Sequence, residues 1–190
     1  MLDAGEYVLG PEHPGHESDQ LAVRTSRAGV GARVGHDLVI GAAEWSARVI
    51  VPPSGPGDAT IAATIQTGSL AISAATGGVK PMSGSDRRTT EKNMRGVLDP
   101  RAFPTATFAS TSITIDGTTL RVDGDLALLG AARPVTLTGT IDESGQVEVT
   151  AQVRQSRWGI TPFSAFLGAL RLADDVTVAI RGTLELDGTR

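Results

Sequence analysis

From residue 119 to 130 the chain alternates. Leu120, Val122, Gly124, Leu126 and Leu128 fall on one side of an extended backbone, and Arg121, Asp123 and Asp125 fall on the other. Successive side chains of a β-strand point to opposite faces, so this spacing describes a strand buried on one side and wetted on the other. The same period recurs. In 174–187, Val176, Val178, Ile180, Gly182, Leu184 and Leu186 oppose Thr177, Arg181, Thr183 and Glu185. In 37–51, Val39, Gly41, Ala43, Trp45, Ala47, Val49 and Val51 share one face, against Glu44, Ser46 and Arg48. In 59–72, Ile61, Ala63 and Ile65 share a face, and the apolar set shifts to Leu70 and Ile72 after Gly68. A shift of phase at a glycine predicts a bulge or bend. Further strands are expected from Leu21 onward and near 105–116, 132–142 and 146–157. Asp116–Gly117 and Ser144–Gly145 read as tight hairpins, and 52–58 (PPSGPGD) reads as a turn.

One segment breaks the period. Residues 83–98 open with Ser83, Ser85 and Asp86, place Thr90, Met94, Val97 and Leu98 at helical spacing, and stop at Asp99–Pro100. They predict a single short amphipathic helix that must dock to be stable, with Glu91 on its exposed surface. Strands and long helices do not alternate, so a doubly wound fold is excluded. The expectation is an all-β fold, an eight-stranded antiparallel up-and-down barrel. It has one short helix between strands 3 and 4 and an apolar loop before the last strand. Closure would remove exposed strand edges. A two-sheet sandwich is the alternative that the pattern leaves open. Residues 1–20 read as a flexible N-terminal leader, and 21–190 as the barrel domain.

Composition limits function. Hydrophobic residues make up 40% of the chain, which supplies a core without crosslinks, and the absence of cysteine excludes disulfides, thiolate zinc sites and a cysteine nucleophile. The net charge is −4. The longest basic cluster is Arg87–Arg88 with Lys92 and Arg95, which reads as a solvated helix face, so nucleic acid is not an expected partner. No apolar run reaches the roughly 18 residues that span a bilayer, so no integral membrane segment is expected. The N-terminus has neither the basic nor the apolar region of a signal peptide. A cytoplasmic location is therefore expected for the chain as it stands, and a periplasmic or secreted one for a chain that has lost a leader.

Chemical motifs are few. In 28–37 (AGVGARVGHD), Val34 stands where a dinucleotide fingerprint requires glycine. His36 and Asp37 are strand neighbours that point to opposite faces and do not serve each other, which leaves His36 a structural or ligand-orienting role. His13 and His16 have no third ligand type beside them and read as plain surface. No catalytic residue is assigned, and no cofactor or metal is expected. The aromatics are placed more suggestively: Trp45 on its strand's apolar face, Phe103 and Phe108 at the start of the fourth strand, and Trp158, Phe163 and Phe166 in the apolar loop. Two readings stay open for them, a barrel core with a hydrophobic plug at one end, or the mouth of a ligand cavity.

Four stretches resemble the YceI-like family, in order and over nearly all of 21–187. They are SRAGVGARVGHDL (26–38), SDRRTTEKNMRGVLDPRAFPTATFAST (85–111), VDGDLALLGAARPVTLTG (122–139) and RQSRWGITPFSAFLGALRLADDVTVAI (154–180). The resemblance implies a lipocalin-like barrel that holds a polyisoprenoid or similar amphiphilic lipid without catalysis, in a family often secreted or periplasmic. The chain departs from it at Leu129, where many relatives carry a polar residue before Gly130. The residues expected to meet such a guest are Val39, Trp45 and Phe108, then Val122, Leu126 and Leu128, and finally Trp158, Phe163, Phe166, Val178 and Ile180, with His36 as the polar contact. Gly41, Ala43, Ala47, Ala63, Gly124, Gly139, Ala151 and Gly182 are expected to leave room for it. The alternative is a structural or protein-interaction barrel with a side-chain-filled interior. An enzyme resting on His36 is a third reading, and a homodimer stays open.

Overall fold

The computed structural model describes residues 2–165 and 170–187; Phe166 lies outside them. Among the described residues the chain is all-β apart from one α-helix and short 3-10 turns. Its strands are β1 (Gly5–Leu9), β2 (Gln20–Arg24), β3 (Arg27–Ala28), β4 (His36–Ala42), β5 (Trp45–Val51), β6 (Thr60–Gln66), β7 (Leu70–Gly77), β8 (Thr105–Asp116), β9 (Thr119–Leu128), β10 (Ala131–Ile141), β11 (Gln146–Arg154), β12 (Ser164–Ala165), β13 (Leu170–Leu172), β14 (Asp175–Thr183) and β15 (Glu185–Leu186). The helix α1 is Gly84–Leu98.

Twelve strands form one curled antiparallel sheet, in the order β15-β1-β5-β6-β8-β9-β10-β11-β14-β2-β4-β7. A small second sheet has the order β12-β13-β3. The expected count of eight is therefore corrected to twelve, for a physical reason. Three expected strands are each broken in two, and Gly5–Leu9, read as part of a flexible leader, is a strand between β5 and β15. Only Leu184 separates β14 from β15, so strands far apart in the ladder are consecutive in the chain and the sheet curls back on itself.

The break in 37–51 corrects a face assignment. Ala43 and Glu44 stand outside the ladder, and the alternation slips by one residue across them. In β5 the buried residues are Trp45, Ala47, Val49 and Val51, whereas in β4 they are Leu38 and Ile40. Val39 thus sits on the face opposite the core, paired with Arg24 and Ala74. Both faces of 38–42 are apolar, so period two alone could not choose between them. The break in 59–72 falls where the sequence places it. Thr67 is 2% exposed. Its hydroxyl donates to the Phe103 carbonyl at 2.7 Å and its N–H to the Pro104 carbonyl at 2.9 Å.

The helix starts at a capping box. The Ser83 hydroxyl accepts from the Asp86 N–H at 3.1 Å, and the Asp86 carboxylate accepts from the Ser83 N–H at 3.4 Å. The Ser83 side chain and then its backbone N–H hold the Asp86 carboxyl below the usual carboxylate range. Glu91 is not a surface residue. It is half-buried and accepts from the Ile72 N–H at 3.0 Å, while Arg87 donates to the Ile72 carbonyl. The helix thereby satisfies one residue of the edge strand β7, and Met94 packs on Leu38, Ile40 and Ile72.

The β9–β10 hairpin turns on Leu129 (φ 50°) and Gly130 (φ 75°). Positive φ at both central residues suits Asn-Gly, and it costs a leucine about 1–2 kcal/mol. Leu129→Asn is expected to raise stability by about 0.5–1 kcal/mol in a urea titration, the lost side-chain burial taking part of the gain.

Candidate functional site

Cross-strand partners share a face, so the register identifies what lines the concave side. One row runs Ile113–Val122–Leu137–Ala151–Val178–Val23–Ile40–Ile72 through eight strands. A second runs Leu9–Ala47–Ala63–Phe108–Leu126 and ends on Arg133. The rows are apolar throughout except for that terminal arginine. The convex side carries polar and charged cross-strand pairs instead. Arg181 meets Glu148 at 2.6 Å, Arg154 meets Asp175 at 3.0 Å, and Arg121 and Thr136 hold Asp123. The Thr136 hydroxyl, followed by Arg121, keeps the Asp123 carboxyl below its ordinary range.

The concave lining is unevenly shielded. Val147, Val149, Ala151 and Val153 of β11 and Trp45, Ala47, Val49 and Val51 of β5 are buried. By contrast, Ile61, Ala63 and Ile65 of β6, Phe108, Leu126, Leu128, Leu137, Val178 and Ile180 are only half-buried, although they point to the same side. Apolar side chains on an inward face normally lose most of their contact with water. Here the protein's own atoms cover them in part.

Most of the expected guest-contacting residues meet on this lining. Trp45 is 1% exposed and packs with Val178 and Ile180. Trp158 is buried against Leu126, Leu128 and Val178, and its indole N–H donates to the Ala131 carbonyl at 2.9 Å. Val122 packs with Phe108 and Ile180. The indole N–H of Trp45 is buried with no acceptor among the described residues. Val39 is on the other face, and Phe163 is exposed. His36 is half-buried at one end of β4, where its Nε2 meets the Lys80 carbonyl at 3.0 Å; Asp37 is taken by Arg27. Ile61, Ile65 and Leu137 join the lining without having been singled out, though their strands' alternation already placed them on apolar faces.

Not every inward glycine leaves room. A Cβ on Gly124 would lie 2.4 Å from the Phe108 ring, and one on Gly182 would lie 2.4 Å from the Asp19 carboxylate and 2.8 Å from Leu9. At Gly139 the partner strand's backbone at Glu148 already occupies the position, at 2.0 Å. The expectation that these three residues open space is corrected: each admits a close neighbour instead.

His16 is also corrected, from surface to interior. It is 3% exposed, and its Nδ1 lies 2.8 Å from Asp19 Oδ2. The Asp19 carboxylate also accepts from the Gly10 N–H at 2.8 Å and the Thr183 N–H at 3.3 Å. The pair ties residues 10–19, which lie between β1 and β2, to β14. Among the described residues, no three His, Asp or Glu gather as a metal site would require, and no helix is long and apolar enough to cross a membrane.

Comparison with known proteins places this architecture. The fold is similar to that of BcnA from Burkholderia cenocepacia, with TM-score 0.65 and 17% identity over 89% of this chain and 97% of that one. It is also similar to a polyisoprenoid-binding domain from Saccharophagus degradans implicated in plant cell wall breakdown, with TM-score 0.56 and 12% identity over 97% and 100% of the two chains. A YceI protein from Campylobacter jejuni superimposes with TM-score 0.53 and 14% identity over 78% and 85%. A search of curated proteins found no match. The model of the YceI-like domain matches residues 21–184, and the chain belongs to that family.

Proposed function

We propose that this protein binds and carries a long apolar or amphiphilic lipid of the polyisoprenoid class on its concave face, without catalysing a reaction. The observation that carries the reading is the half-shielded lining. Nine apolar residues on β6, β8, β9, β10 and β14 point inward and keep part of their surface uncovered. A guest would complete their burial, at roughly 0.8 kcal/mol for each methylene it buries itself. About ten carbons would give on the order of 8 kcal/mol gross, which association costs reduce sharply, so a chain longer than two isoprene units is favoured. The domain from Saccharophagus degradans, which is named for binding polyisoprenoids, agrees with this class of ligand.

A second reading has its own observation. Phe108, Asp19 and Leu9 fill the space over Gly124 and Gly182, as a barrel packed with its own side chains would require. Organic extraction and native mass spectrometry of the purified protein separate the two. A co-purifying isoprenoid, or saturable uptake of added polyprenol, is the expected result. Repeated absence of both would leave the filled interior as the better account.

A further inference from the structure

We propose that the end of the molecule built from residues 26–36, 76–82 and the β12–β13 sheet docks on the surface of an anionic lipid bilayer. Three segments distant in sequence meet there. Leu172 pairs with Arg27 and Arg171 with Ala28. The Arg27 guanidinium lies against Gly77, where it occupies the place of a Cβ. The Nε2 of His36 meets the Lys80 carbonyl at 3.0 Å. Between these segments runs a depression of about 390 Å³ lined by Ser26, Arg27, Ala32, Arg33, Asp37 and two glycines.

Two properties of this end select a membrane. Its loops present apolar tips to solvent: Val30 is 96% exposed, Val79 is 75%, and Val34 and Phe163 are about half exposed. Its charge is predominantly positive, with Asp37 the carboxylate that lines the depression. Residues 26–36, 76–82, 161–165 and 170–173 contain Arg27, Arg33, Lys80 and Arg171 and no carboxylate, in a chain whose net charge is −4. Of the flanking carboxylates, Asp37 pairs with Arg27 and Asp175 with Arg154, whereas Asp174 accepts from Ser156 and Asp86 from Ser83 and both keep their charge. Among the described residues, no ion pair engages Arg33, Lys80 or Arg171. The far end of β14 is different. There Thr183 pairs with Gln146, beside the hairpin that carries Asp142 and Glu143. The molecule is thus polarised along its strands, with Arg33, Lys80 and Arg171 near exposed valines at one end and the hairpin of Asp142 and Glu143 at the other. Basic residues around inserted apolar side chains are how a surface binds negatively charged headgroups. A protein that takes up a lipid must also meet the bilayer that stores it, and in that respect the inference rests on the proposed function.

The test uses the full chain and phosphatidylcholine vesicles with and without phosphatidylglycerol. Flotation with the anionic vesicles that weakens as salt is raised is expected. Val30→Asp with Val79→Asp, and separately Arg33→Glu with Lys80→Glu, are expected to weaken it by about tenfold or more. Arg181→Glu, on the convex side away from this end, is expected to leave it unchanged. No preference for phosphatidylglycerol, or full binding by both double variants, would overturn the docking surface. Native mass spectrometry of the same preparations keeps the two proposals apart. Lipid cargo without vesicle binding sinks the docking surface alone, and vesicle binding without cargo or polyprenol uptake sinks the cargo reading alone.

Discussion

Ala63→Phe is expected to lose polyprenol binding by about a hundredfold, equivalent to about 3 kcal/mol, while its urea midpoint stays close to that of the parent. Ala63 stands in the row Leu9–Ala47–Ala63–Phe108–Leu126, points to the concave side, and is only half-buried. A phenylalanine there would extend over the lining and take the space a guest chain needs. The two readouts separate the competing accounts of the interior. Where space exists, the added ring gains apolar burial and the fold tolerates it. Where the interior is already packed, the ring overpacks it at a cost of about 1–3 kcal/mol, and the urea midpoint falls. Lost binding with unchanged stability supports an enclosed guest, and a large drop in stability supports a filled interior.

Asp19→Ala is expected to destabilise the protein by about 3 kcal/mol. The carboxylate is 3% exposed and accepts from three donors, the His16 ring and the Gly10 and Thr183 N–H groups. Truncation leaves each of them without its partner in a buried setting, and every such donor carries a desolvation penalty. It also removes the group seated over Gly182. Equilibrium unfolding in urea measures the loss. Asp19→Asn, which keeps the volume and one acceptor oxygen, is expected to recover part of it. A loss under 1 kcal/mol for Asp19→Ala would show that residues 10–19 are held to β14 by other contacts.

The strand faces that line the site were largely legible, because alternation survives wherever only one face is buried. β9, β11 and β14 show it without interruption, and Val122, Leu126, Leu128, Val178 and Ile180 lie where that period places them. Three features were hidden. Residues 38–42 are apolar on both sides, so the slip at Ala43–Glu44 that moves Val39 to the outer face left no trace in the period. Strand breaks at Leu184 and Thr67–Ser69 depend on which neighbour each half pairs with, which is tertiary information; only Gly68 hinted at one of them. The burial of His16 depends on a carboxylate three residues later and on β14, more than 160 residues away. A histidine beside proline and glycine carries no local sign of such a contact. Glycine was the most misleading signal. Gly124, Gly139 and Gly182 suggested empty space, yet an absent Cβ equally permits another atom to approach, and the structure uses them that way.

The central claim, that a guest chain lies against the concave lining, is tested most directly through Trp45. In a Trp158→Phe background Trp45 is the remaining tryptophan, and it packs beside Val178 and Ile180 on that lining. Titration with a polyprenol brominated along its chain should quench its fluorescence saturably, and unbrominated polyprenol should reverse the quenching by competition. Binding of the same probe that leaves Trp45 emission unchanged would place the lipid elsewhere on the molecule and contradict the account.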